Sequence, residues 1–132
     1  MDYIDLLSGT FKLGGRGENN TWDCFGLVRE VLKRMGKQIP NYKYEDNVDD
    51  QFLGELIEKE KLIVAEQVTE PQEGDIVVLQ VTPVFITHAG IMLDKNRFLH
   101  ITRKTRVCVE RIDSQLWNRR VRGFYRPKDI KE

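Results

Sequence analysis

The stretch Asp23-Cys24-Phe25-Gly26-Leu27-Val28-Arg29 decides how this chain is read. Phe25, Val28, Val31, Leu32 and Met35 recur at three- and four-residue spacing, starting just after Asp23 and stopping at Gly36. That pattern predicts an amphipathic helix over about 24–35, with an acidic start signal and a glycine stop. Cys24 is then its first residue. A cysteine in that position meets free backbone N–H groups and the positive end of the helix dipole, which lowers its pKa and makes the nucleophilic thiolate available near neutral pH. The same N–H groups can hold a developing oxyanion. Gly26, lacking a side chain, is expected to leave room beside the sulfur for a substrate backbone. The plainer alternative is that Cys24 is a small buried hydrophobe.

Downstream, Phe52, Leu53, Leu56 and Ile57 form a second helical pattern inside an acidic segment, whose charges are expected to face water. From residue 76 the period changes. Ile76 to Val81, His88 to Leu93, Arg97 to Thr102 and Arg106 to Ile112 are short runs rich in Val and Ile, divided by turn-type residues, and read as four strands. The short polar connection Asp94-Lys95-Asn96 favours an antiparallel hairpin between the second and third. Helix first, then a meander of strands, gives an α+β order: an N-terminal helix carrying the cysteine, packed on an antiparallel sheet.

A thiolate nucleophile needs a base, and the two histidines, His88 and His100, both lie in that hairpin. With a three-residue loop, or five in the same register, His88 faces Thr102 and His100 faces Gly90. All four then share one face of the sheet. The imidazoles become diagonal neighbours, one able to orient the other by a hydrogen bond. A two- or four-residue loop would separate them. A metal site built from Cys24, His88, His100 and Cys108 lacks the closely paired ligands of structural zinc, so no metal or other cofactor is expected.

Composition limits the remaining options. The chain has 132 residues, 40% of them apolar and 32% charged, which suits one globular unit spanning 1–132 and excludes a disordered chain. Two cysteines are too few for a disulfide framework. Met1 to Gly9 lack the basic start and apolar core of an export signal, so synthesis in a bacterial cytoplasm is expected. The most apolar stretch, Ile76 to Ile91, is broken by Gln80, Thr82, Pro83, Thr87 and His88 and falls short of the ~20 residues of a spanning helix. No membrane partner is expected. Twenty-one basic and 21 acidic side chains cancel, but unevenly. Residues 45–75 are strongly acidic and residues 84–132 strongly basic. Arg119, Arg120, Arg122 and Arg126 are expected to pair with the acidic segment inside the fold; the alternative sets them against anionic wall polymer or another protein. Nucleic acid is not expected, because no recognition motif accompanies the arginines.

Several further stretches accompany the cysteine motif: Gly9-Thr10-Phe11-Lys12-Leu13-Gly14-Gly15, Glu73-Gly74-Asp75-Ile76-Val77, His88-Ala89-Gly90-Ile91-Met92-Leu93 and Phe98-Leu99-His100. Together they resemble the successive motifs of the NlpC-type, papain-like cell-wall cysteine peptidases. The resemblance implies Cys24 as nucleophile, His88 as general base and His100 as the residue that orients it. It places Phe11, Asp23, Phe25 and Gly26 beside the substrate, with Phe11 and Phe25 standing where many relatives carry Tyr and Ser. The implied reaction is cleavage of an amide in peptidoglycan stem peptides, typically between D-glutamate and the following diamino acid. The aromatic Phe25 after the cysteine, and the ending from Val109-Glu110-Arg111 through Trp117 to Tyr125-Arg126-Pro127, are similar to the branch found in phage tails and prophages. That similarity implies a tail-associated enzyme acting at the cell wall, with other tail proteins as partners. The rivals are a non-catalytic tail-assembly module on the same fold and a different cysteine-dependent amidase or deamidase.

Overall fold

The computed structural model describes residues 2–128; the ends of the expected unit, Met1 and 129–132, lie outside the described residues. Helix α1 (Cys24–Arg34) starts where its cap dictates. The Asp23 carboxylate accepts the Gly26 N–H at 2.8 Å, satisfying a donor that no helical carbonyl can reach. The helix ends one residue earlier than the pattern predicts, because Met35 leaves helical geometry and Gly36 follows with φ 78°. Such a left-handed turn favours glycine as a helix stop. Helix α2 (Asp50–Val64) is capped by Asp49, and its pattern extends beyond the expected quartet to Val64.

Strands β1 (Thr10–Phe11) and β2 (Thr21–Trp22) form a small parallel pair ahead of α1. The main sheet contains β3 (Ala65–Val68), β4 (Ile76–Leu79), β5 (His88–Met92), β6 (Arg97–His100), β7 (Cys108–Arg111) and β8 (Val121–Pro127), in the order β3-β8-β4-β5-β6-β7. The four expected strands are present as the antiparallel meander β4 to β7. Strands β3 and β8 are additions. Gly123, Arg122 and Arg126 interrupt the apolar alternation of β8, which nevertheless lies between β3 and β4. One of those arginines explains the placement: Arg126 makes a bidentate contact with the buried carboxylate of Asp75 at 2.9 and 3.0 Å. Arg126 thus pairs with the acidic segment as expected. Arg122 instead donates to Gln80 and to the carbonyls of Arg119 and Val121, while Arg120 lies over the Trp117 ring.

The register of β5 and β6, Ile91↔Leu99 and Met92↔Phe98, is the one the odd-length turn predicts. It sorts side chains onto two faces. Ile76, Val78, Ala89, Ile91 and Leu99 pack with Leu27, Val28, Val31 and Leu32 of α1. On the other face Val77, Leu79, Met92 and Phe98 pack with Trp117. His88 and His100 belong to this second face, since His88 pairs with Leu79 and His100 precedes no change of register in β6.

Candidate active site

Cys24 opens α1, and α1 crosses the sheet so that its first turn reaches the start of β5. There the sulfur lies 3.9 Å from the Thr87 carbonyl oxygen and receives the backbone N–H groups of Ala89 and Phe25. Cys24, His88, Phe11, Phe25 and Asp23 line one cleft of about 600 Å³. On β5, His88 Nε2 is 2.8 Å from His100 Nδ1 on β6. The predicted diagonal contact of the two imidazoles is therefore observed. Both rings are buried, and Trp117 holds them from the side, stacked near parallel to His88 and edge-on to His100.

Gly90 makes this arrangement possible. A Cβ there would lie 2.9 Å from the Leu99 carbonyl and 3.2 Å from His100 Cβ, closer than atoms normally pack. The glycine in the His-Ala-Gly run thus makes room for the second histidine.

Electrostatics corrects one expectation. Burial pushes the Cys24 thiol up to about 12, and the adjacent Asp23 carboxylate adds to the rise. The N–H groups of Ala89 and Phe25 and the Arg16 cation pull the other way without reversing it. Desolvation of a residue that is only 8% exposed outweighs the helix start. Burial likewise drives His88 down to about 3, with a smaller contribution from His100. His100 is lowered by burial, against an opposing pull from Glu110. The resting pair is a thiol and a neutral imidazole.

Gly26 corrects a second expectation. A Cβ on it would sit 2.1 Å from the Gly15 carbonyl oxygen and 3.1 Å from an Arg16 nitrogen. The missing side chain accommodates the protein's own loop, not a substrate backbone. Asp23 is also committed to the fold: its oxygens accept the Gly26 N–H, the Gly14 N–H and Arg16, each at 2.8 Å, together with the Tyr44 hydroxyl. Phe11 and Phe25 are half-buried on the cleft wall. The Arg103 guanidinium lies over the Phe11 ring at 5.0 Å, and Phe25 meets Tyr44 edge-on.

Tyr44, Trp117 and Glu110 also line the cleft, and the sequence reading assigns none of them to the site. Glu110 on β7 bonds His100 Nε2 through its carboxylate. Its position was legible once β7 is paired, because Glu110 is two residues on from Cys108, the partner of His100. The four-residue metal set considered above does not assemble. Donor atoms of His100, Cys108 and Glu110 come within 4.8 Å of one another, yet His100 and Glu110 already bond each other. Both cysteines are free thiols. Among the described residues no helix is long and apolar enough to cross a membrane.

Residues 9–126 match the family model described as NlpC/P60 family. The chain belongs to the NlpC/P60 family. Among characterised proteins it is 24% identical over 119 residues to the murein DD-endopeptidase MepS/murein LD-carboxypeptidase of Escherichia coli K12, covering 89% of this chain and 55% of that protein. It is 31% identical over 103 residues to the tail tip assembly protein K of Escherichia phage N15, covering 74% of this chain and 39% of that one. The chain therefore spans about half the length, or less, of these relatives. The fold matches a lipoprotein-like NLP/P60 family protein of Staphylococcus aureus with TM-score 0.68 at 19% identity, over 98% of this chain and 39% of the other. It also matches the NlpC/p60 domain of peptidoglycan hydrolase SagA with TM-score 0.59 at 17% identity, over 92% and 89%. The NlpC/P60 fold is thus the α+β, papain-like arrangement expected from the sequence.

Proposed function

We propose that this NlpC/P60 chain is a cysteine peptidase that hydrolyses amide bonds in peptidoglycan stem peptides. The observation that carries the reading is the convergence of Cys24 and His88 on one cleft, with His100 bonded to His88 from behind. Cys24 attacks the scissile carbonyl carbon as His88 takes the thiol proton, forming a tetrahedral intermediate whose oxyanion the helix-start N–H of Cys24 helps hold. The intermediate collapses to a thioester as His88 returns the proton to the departing amine. His88 then takes a proton from water, the hydroxide attacks the thioester, and the acid product and Cys24 thiol are released. No step calls on a metal.

The neutral resting pair assigns proton transfer to the substrate-bound cleft, where attack on the carbonyl consumes the thiolate as it forms. The cleft is also polarised. Asp50 stands on its α2 side, and Arg103, Lys104 and Arg120 stand on its sheet side, where the one carboxylate, Glu110, is already engaged by His100. A peptide bearing free carboxylates and an amino group suits that division, as stem peptides do. Within this reading the scissile bond is the D-glutamyl-diamino acid amide, and the setting is a phage tail or prophage, which the kinship with a tail tip assembly protein supports. Incubation of purified stem-peptide fragments with wild type and C24A tests the function. Release of new amines by wild type alone is expected; equal release by both proteins rejects the thiol mechanism.

The depth of the thiol favours one other reading, a tail-assembly module that keeps the fold without turnover. Alkylation separates the two. In an enzyme, Cys24 modification rises with pH and slows in H88A, whereas an inert thiol shows neither response.

A further inference from the structure

His88 carries one proton and one lone pair when neutral, and only one tautomer leaves the lone pair on Nδ1, the nitrogen that His100 does not engage. Its Nε2 is engaged by His100 Nδ1 at 2.8 Å. If His88 donates from Nε2, its Nδ1 is bare and can accept the Cys24 proton. If His100 donates instead, His88 carries its proton on Nδ1 and cannot act as the base. The His–His contact alone does not choose, because each ring can serve as donor or acceptor. The next contact does. Glu110 places a carboxylate on His100 Nε2, and a carboxylate offers acceptors only.

From this chain of contacts we infer that Glu110 is a positioning residue that sets the proton register of both imidazoles. His100 must hold its proton on Nε2 to donate to Glu110, so its Nδ1 is bare. His88 must then donate from Nε2, and its Nδ1 is the base. Each link lies on one face of three successive strands. His88 is on β5, His100 on β6 and Glu110 on β7, with His100 opposite Cys108 and Glu110 opposite Phe98. The alternation of the sheet points all three the same way. Burial keeps both rings neutral, so each has a tautomer to be chosen. Trp117, packed against both imidazoles, limits ring rotation as a way of evading the choice. Glu110 also accepts from the Cys108 thiol at 4.0 Å, but in this scheme it touches neither the Cys24 sulfur nor substrate, and reaches His88 through His100 alone.

The inference rests on the proposed hydrolase for its catalytic meaning, but the tautomers can be measured without substrate. Nitrogen-15 NMR of the histidine rings in wild type is expected to show both imidazoles protonated at Nε2 and bare at Nδ1. In E110A a population of His88 protonated at Nδ1 is expected. In E110Q, whose amide oxygen still accepts but whose NH₂ end does not, a smaller such population is expected. On stem-peptide fragments, kcat of E110A is expected to fall at least about tenfold with KM within about twofold, and E110Q to lie between it and wild type. Wild-type rings protonated at Nδ1, or tautomers unchanged in both variants, overturn the inference. A carboxylate that merely stabilises the strand would lower the melting temperature and leave the ring nitrogens as they are, which also overturns it. Should wild type prove inactive on wall fragments while the ring nitrogens behave as stated, the hydrolase reading fails and the proton register stands.

Discussion

The two faces of the main sheet are both buried, yet they are built on opposite terms. Toward α1, Leu27, Val31, Ile91 and Leu99 meet with apolar contacts only and are essentially inaccessible. On the other face, Phe98, Met92 and Trp117 surround a polar line from His88 through His100 to Glu110. An apolar face holds its elements by close packing, with no donor or acceptor to align. A buried polar line requires each donor to meet its acceptor. The first face therefore fixes where the strands lie, and the second uses that precision.

Neighbouring residues of β6 offer the sharpest way to break this comparison. Leu99→Ala removes a fully buried side chain from the apolar face and should cost roughly 2–5 kcal/mol. Urea unfolding measures it, and a loss below about 1 kcal/mol would show that the α1 face does not carry the frame.

Acid should act on the other face. The His88 pKa is depressed in the fold, to about 3 from 6.5, and that of His100 is depressed as well. For an imidazole held neutral, the stabilising contribution is complete above the unfolded value and is lost as pH falls from about 6.5 toward the folded one, because only the unfolded chain takes up the proton. The slope is at most about 1.4 kcal/mol per pH unit for each ring. Melting temperatures between pH 7 and pH 4 should fall, and His88→Gln should flatten the decline; an unchanged slope in that variant would place the acid sensitivity elsewhere.

Gly90→Ala is the smallest of the three perturbations, with an expected cost of about 1–3 kcal/mol as the new methyl presses on the Leu99 carbonyl and His100. Its effect on turnover should exceed that of Leu99→Ala at matched folded fraction, since it moves the polar line directly. Equal turnover losses would erase the distinction between the faces.

Much of this layout is legible in the sequence. The three- and four-residue spacing from Phe25 to Met35 locates α1, and an odd-length turn after Leu93 places His88 and His100 on one face. Strand β8 is less legible because arginines and Gly123 interrupt its alternation, and its place between β3 and β4 depends on Asp75, distant in the chain. Glu110 is hidden for a different reason. The link from His100 to Cys108 is too long to fix a register by turn geometry, so the partner of His100 emerges only from the folded sheet. Tyr44 and Trp117 lie outside helix and strand, where no period marks them. The thiol departs from its local reading because helix position is written locally, whereas its burial under β5 and beside Asp23 is a property of the assembled chain.

Asp23, which caps α1, has a consequence for how this protein can vary. Its carboxylate simultaneously answers Gly14, Arg16, Gly26 and Tyr44. Replacing it alone removes the counter-charge of a largely buried guanidinium, which keeps only the neutral acceptors Asn41, Gly15 and Tyr42, and removes the acceptor of the Tyr44 phenol, so Arg16, Asp23 and Tyr44 behave as one heritable unit. Substitutions among them should be strongly non-additive, each harmful alone and tolerable only in company. The residue that precedes Cys24 is thereby barred from drifting on its own, and the orientation of Cys24 is inherited along with a loop and a tyrosine that lie far from it in the chain.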